Sequence, residues 1–172
     1  MKFDIDDSDI KASKIPHEIF LTNLIVNHVL YFISALGMAK SLPQLVAATP
    51  IISIGALGYI MVRGKKIQRS APWFVRCHWQ IAMNRSRILL LTLSALTLLL
   101  STLYAIHLYG DVAFAQIFPM AAIVTIPVMI TILALILMES EALHFASSGQ
   151  LSKGMVERHP PPEQIVQIDK ES

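Results

Sequence analysis

Six histidines, a single cysteine and a stripe of asparagines are the residues of this chain whose chemistry invites a function. In the first apolar run, Asn23, Asn27, Tyr31 and Ser34 recur at helical spacing, with His28 beside them. Polar side chains inside a membrane face other helices, because an unpaired amide in hydrocarbon is costly. The stripe therefore has two readings. It lines a hydrated pathway or ligand pocket between helices, or it supplies interhelical hydrogen bonds that hold a bundle or an oligomer together. Asn, Ser and Thr usually serve the second purpose. A weaker stripe of Ser94, Thr97, Ser101 and Tyr104 follows in a later run.

The remaining candidates for chemistry are sparse. Haem held between helices needs two axial histidines at matching depth, and His28 and His107 fall at different depths. His78, with Cys77 beside it, and His144 lie near one membrane surface and can meet, yet no ligand spacing matches a zinc site. A lone cysteine excludes an internal disulfide. There is no Gly-rich phosphate loop, serine elbow or His-Glu-x-x-His element. No Asp, Glu, Lys or Arg lies deep within an apolar run, where ion-coupled carriers place an ionisable group. The expectation is a non-enzymatic chain with no cofactor and no metal.

These residues are positioned by long apolar elements. Of 172 residues, 54% are hydrophobic and only 15% charged, far too apolar for an ordinary soluble domain. The net charge of +2 gives no reason to expect nucleic-acid binding. The pattern predicts an all-α polytopic membrane protein with a leader (1–16), a transmembrane domain (17–138) and a tail (139–172). Four spans, 17–39, 42–62, 88–109 and 112–138, form two hairpins joined by a basic linker with an amphipathic interfacial helix over 73–87. Pro16 is read as opening the first helix. Gly37 and Ala39 satisfy a small-x-small cleavage pattern, but the apolar run is too long and its leader too acidic for a signal peptide, so it is read as a retained anchor. In the second span, Pro50 and the small residues Ala47, Ala48, Ser53, Gly55, Ala56 and Gly58 predict a kinked helix that others approach closely.

The Lys and Arg residues set orientation. Of 14, all but Lys40 lie in the leader, the tail or the linker, which places both termini and the linker on the cytoplasmic side. Trp73 and Trp79 are expected at the headgroup level. Arg63, Lys65, Lys66, Arg69 and Arg76 are candidate contacts for a partner or for anionic lipid, at about 1 kcal/mol per basic residue. In the tail, Glu139, Glu141 and His144 read as a solvated helical face that stops near Gly149. A stiff polyproline spacer over 160–162 then carries Ile165, Val166 and Ile168, which read either as a disordered tail end or as a β-prone tip that adds a strand to a partner's sheet.

The stretch Ala71-Pro72-Trp73 followed by Arg76, His78, Trp79, Gln80 and Ile81 resembles small uncharacterised bacterial membrane proteins of four spans. They are distantly similar to a channel-like subunit of the chloroplast inner-envelope translocon. The chain departs from that pattern at Met83 to Arg85. Its architecture also looks like the membrane subunit of Kiwa-type anti-phage systems, which pairs with a soluble partner. These resemblances imply a multi-pass protein of the bacterial inner membrane. The expected function is an oligomeric subunit that anchors, or signals to, a cytosolic partner, as a sensor in a defence or stress complex. The alternative is a small channel or transporter subunit with a polar pathway along the first span.

Overall fold

The computed structural model describes residues 1–38, 41, 42, 44–110, 112–163 and 165–168. Ala39 at the end of the expected first span, Lys40, Pro43 and Asp111 of the expected outer turns, and Gln164 and the last four residues of the tail lie outside the described residues. The chain is all-helical, at 82% helix. A first rod runs through α1 (Asp7–Thr22), a π-helical stretch (Asn23–Tyr31) and α2 (Phe32–Gly37). It is followed by α3 (Gln44–Ser70), α4 (Trp73–Tyr109), α5 (Phe114–Ser147) and the short α6 (Lys153–Arg158). The strands β1 (Lys2–Phe3) and β2 (Gln167–Ile168) pair antiparallel, Lys2 opposite Ile168 and Phe3 opposite Gln167.

Three stretches are long and apolar enough to cross a membrane: Asp7–Ala35, Trp73–Tyr109 and Ala115–Ser147. Only 6% of the most apolar window of α4 is buried within the chain, so most of that surface needs lipid or another protein to cover it. At about 1.5 Å per residue, the 37-residue α4 measures roughly 55 Å, well beyond a hydrocarbon core of about 30 Å. The expected interfacial helix and the third span are thus one continuous rod. Its first part, 73–87, carries Arg76, Arg85 and Arg87 and lies outside the apolar stretch that begins at Ile88.

The first helix begins at Asp7, nine residues before Pro16. Asp6 is extended at the N-terminus, and its carbonyl accepts from Asp9 and Ile10, while Asp7 and Asp9 place negative charge where the helix dipole favours it. Pro16 sits inside this helix, and its missing N–H strands the carbonyl of Ala12. Trp79 resolves the deficit by donating its indole Nε1–H to that carbonyl at 3.3 Å. Trp79 is 2% exposed, and Trp73 is buried and donates Nε1–H to the His159 carbonyl at 2.9 Å. The tryptophans expected at the headgroup level are therefore internal fasteners, because each indole N–H meets a carbonyl of a neighbouring segment.

Two cores result. Phe20, Leu24, Leu57, Ile60, Ala82, Leu89, Val128 and Ile132 join the rods. Phe3, Trp73, Phe74, Cys77, Leu151 and Met155 form a second cluster where both chain ends fold over α4, with Phe3 edge-on to Trp73 at 5.1 Å. Backbone hydrogen bonds weave this cap: the Met1 ammonium and Leu151 exchange bonds of 3.0 Å, and Phe3 donates to the Gly149 carbonyl at 2.9 Å. Gly149 ends the helical run with φ +66°, and an added Cβ would stand 3.0 Å from the Phe3 carbonyl oxygen. A glycine meets both demands, left-handed backbone and close approach. In α3, by contrast, Gly55 and Gly58 face open space, so the close approach expected at these two positions is not made within one chain.

Candidate functional site

The chemistry gathers where the apolar rods meet the cap. His17 from α1, His78 and Arg85 from α4, and Glu139 from α5 converge in one buried chain of hydrogen bonds. His17 Nδ1 lies 2.6 Å from Glu139 Oε2, and His17 Nε2 lies 3.0 Å from His78 Nδ1. His78 Nε2 then reaches the Gln150 carbonyl at 3.2 Å. On the other side, Arg85 donates to Glu139 Oε1 at 3.0 Å and to the Met138 carbonyl at 2.8 Å. The Glu139 and His17 side chains have no exposed surface.

Donor counting constrains the protons. The Gln150 carbonyl only accepts, so His78 donates there through Nε2–H. Burial, with the His17 ring close by, holds His78 neutral by pushing its pKa down to about 3. Its Nδ1 then accepts from His17 Nε2–H. The short contact between His17 Nδ1 and Glu139 needs a further hydrogen, which makes the pair an imidazolium–carboxylate or an imidazole–carboxylic acid. The imidazolium–carboxylate form is a charge-assisted bond, consistent with the 2.6 Å length. Arg85 supplies the second charge partner for the carboxylate.

This arrangement overturns one expectation. Glu139 is not on a solvated face but fully buried, because α5 passes under Arg85 and His17 at that point. Glu141 and His144 on the same helix are exposed. His78 meets His17 rather than His144. Among the described residues no group of three or more His, Cys, Asp or Glu is arranged to hold a metal ion.

The polar stripe is placed between the first rod and α3. Asn23 donates to Ser53 Oγ at 3.2 Å, and Asn27 donates to Asn23 Oδ1 at 3.1 Å and to the Thr49 carbonyl at 2.9 Å. Tyr31 donates to the Leu45 carbonyl at 3.0 Å. Ser34 is exposed and donates back to the Leu30 carbonyl of its own rod. His28 Nδ1 contacts the Asn23 carbonyl at 3.1 Å, five residues back, as the wider π-helical turn permits.

Arg63, Lys65, Lys66 and Arg69 are exposed on the last turns of α3. Arg76 is half-buried and lines a cleft of about 250 Å³ with Gln68, Gln80 and Arg158. Ile165 packs against the cap cluster, whereas Val166 and Ile168 are exposed, and Ile168 belongs to the strand already paired with β1.

Sequence reasoning missed the His17–Glu139 pair, although a signal for it existed. His17, Arg85 and Glu139 each stand at the same-side end of an apolar run, the side of the leader, linker and tail, hence at one depth. Comparison with known proteins gives no match: no family model, curated protein or solved structure is similar to the chain.

Two outcomes test the network. Glu139→Gln leaves Arg85 and His17 without their anion, and breaking a buried pair costs about 3–5 kcal/mol. The expected result is a fall of roughly 10 °C in the thermal midpoint of the detergent-solubilised protein, with early proteolysis of the cap. His78 provides a pH test. Its folded pKa of about 3 lies below the ordinary 6.5, so the unfolded cap binds a proton that the folded one refuses. This contribution is complete above pH 6.5 and lost as pH falls toward 3. The thermal midpoint should drop on acidification through that window, and His78→Gln should flatten the dependence.

Proposed function

We propose that the chain is a non-enzymatic, oligomeric subunit of a bacterial inner membrane that holds a cytosolic protein partner against the bilayer. In this reading α3 is a further span, giving four, and the cap with both termini faces the cytoplasm. The observation that carries it is the cap itself. Leader, linker and tail fold into one body, and the His17–His78–Gln150 bonds fasten that body to the rods, which Glu139 holds together through His17 and Arg85. A protein docked on the cap is thereby coupled mechanically to the membrane domain.

Further features support the reading. The exposed cluster Arg63, Lys65, Lys66 and Arg69 stands at the same end and suits acidic partner surfaces or anionic headgroups. Val166 and Ile168 place apolar side chains on the surface of the cap, 65% and 43% exposed. Asn23 and the Asn27 amide nitrogen bond to α3, which favours the fastening role. The rival channel reading keeps one support of its own: Asn27 Oδ1 has no partner among the described residues, and Asn23, Asn27 and Tyr31 line a groove of about 460 Å³. A role in a defence or stress complex follows from the Kiwa-like architecture alone.

Partner holding is tested with the full chain and the variant Val166→Glu/Ile168→Glu, purified in mild detergent from native membranes and searched for co-purifying soluble proteins. The native chain should retain one such protein and the variant should lose it at least tenfold, with an unchanged thermal midpoint. If no soluble protein accompanies the native chain, partner holding is wrong. Oligomerisation has its own test at Gly55, whose Cβ position is open within one chain. Gly55→Leu should dissociate the oligomer in detergent-corrected light scattering, since small residues let membrane helices touch. An unaltered mass would place the contact elsewhere.

A further inference from the structure

A cavity of about 480 Å³ lies among the rods, away from the cap and independent of the partner-holding reading. Its size falls within the roughly 300–1,000 Å³ of small-molecule sites. Its walls are mostly apolar, including Phe32, Leu96, Leu100 and Val128, and exposed Pro50 and Thr97 stand at its edge, on the surface that faces lipid in the membrane-spanning reading. Four polar residues line it: Thr97 and Thr125 donate back to the Leu93 and Ala121 carbonyls of their own helices, while His28 and Thr49 are each 5% exposed. The His28 Nε2 and Thr49 Oγ1 atoms are buried without a hydrogen-bond partner among the described residues. Leaving such groups unpaired costs about 1–3 kcal/mol each, so a cavity carrying two of them is built for something that satisfies both.

The hydrogen bonds fix what that something is. His28 Nδ1 faces the Asn23 carbonyl, which only accepts, so Nδ1 carries the ring hydrogen. Nε2 of the uncharged ring is then an acceptor and demands a donor. Thr49 Oγ1 has a hydrogen to give. A single hydroxyl meets both, donating O–H to His28 Nε2 and accepting from Thr49 Oγ1. The surrounding apolar wall requires a hydrocarbon body. We propose that this cavity binds a membrane-soluble alcohol or phenol, held by its hydroxyl between His28 and Thr49.

The π-helical stretch Asn23–Tyr31 contributes directly, since it brings the His28 ring to a carbonyl five residues back and so sets which nitrogen is free. Phospholipid acyl chains fill the wall but offer no hydroxyl, and a water satisfies the polar atoms but not the wall.

The test uses the full chain in phosphatidylcholine nanodiscs with tritiated farnesol as the probe and empty discs as the partition control. Saturable binding above the control is expected. Unlabelled farnesol should compete, and its methyl ether, which cannot donate, should compete at least tenfold more weakly. Thr49→Val keeps shape and removes the donor, and it should weaken binding about tenfold. His28→Phe should do the same, and Leu100→Trp should abolish binding by filling the cavity. Equal competition by the ether overturns the proposal. So does unchanged affinity in Thr49→Val, or farnesol uptake no greater than in empty discs.

Discussion

A carboxylate with no exposed surface is tolerable only when its charge is met and its oxygens are bonded, and the architecture turns on how Glu139 satisfies both. Its two oxygens are divided between helices, Oε2 to His17 on α1 and Oε1 to Arg85 on α4. Three rods are therefore fixed at one depth by one side chain. Apolar contacts between membrane helices are poorly specific about depth, since sliding exchanges one hydrocarbon surface for another. A buried ion pair is intolerant of sliding, because any shift strands a charge. The registry of α1, α4 and α5 is thereby set at a single point.

The cap depends on that registry. His78 continues the chain of bonds from His17 to the Gln150 carbonyl, one residue beyond the glycine that ends the helical run at φ +66°. Ala12, left without a helical donor by Pro16, is reached by Trp79 only if α1 and α4 stand in the same register. Trp73, one and a half turns earlier on α4, binds the carbonyl of His159 and so ties down the tail. The carbonyl stranded by Pro16 is answered by a side chain from another element, and the Gly149 carbonyl by the backbone N–H of Phe3. The leader and tail, which are polar enough to stay unfolded alone, are ordered by these reciprocal bonds and by the buried Phe3 and Leu151.

Much of this was legible in the residues. Apolar runs bounded by charge define the helices, and the stop near Gly149 follows from glycine's access to left-handed backbone. The continuity of α4 was visible in the lack of any breaker between Trp73 and Ile88. The start of α1 was hidden because Pro16 resembles a first helical residue, whereas the capping signal of Asp6, Asp7 and Asp9 lies upstream. Glu139 was hidden for a different reason. Within its own segment it stands beside Glu141 and His144 and looks solvated, and only the convergence of two distant helices buries it. The pairing of β1 with β2 was equally out of reach, since two-residue strands carry no periodicity and their contact spans nearly the whole chain.

The buried polar groups fall into two sets with opposite consequences. At the cap, acceptors and donors are matched down to the Gln150 carbonyl, and the result is a rigid joint. Between the rods, Asn23 and Asn27 also find partners on α3, which converts the stripe into a fastening of the first two helices. Asn27 keeps its Oδ1 unmatched, and at the cavity the outward atoms of His28 and Thr49, Nε2 and Oγ1, are unmatched among the described residues. Both residues stand next to groups that are matched: the His28 ring holds the Asn23 carbonyl, and the Thr49 carbonyl holds Asn27. The same fastening that closes the stripe thus aims two unmatched atoms into the cavity and prevents them from turning away to find partners. Holding them there costs stability, and a hydroxyl placed between them returns it.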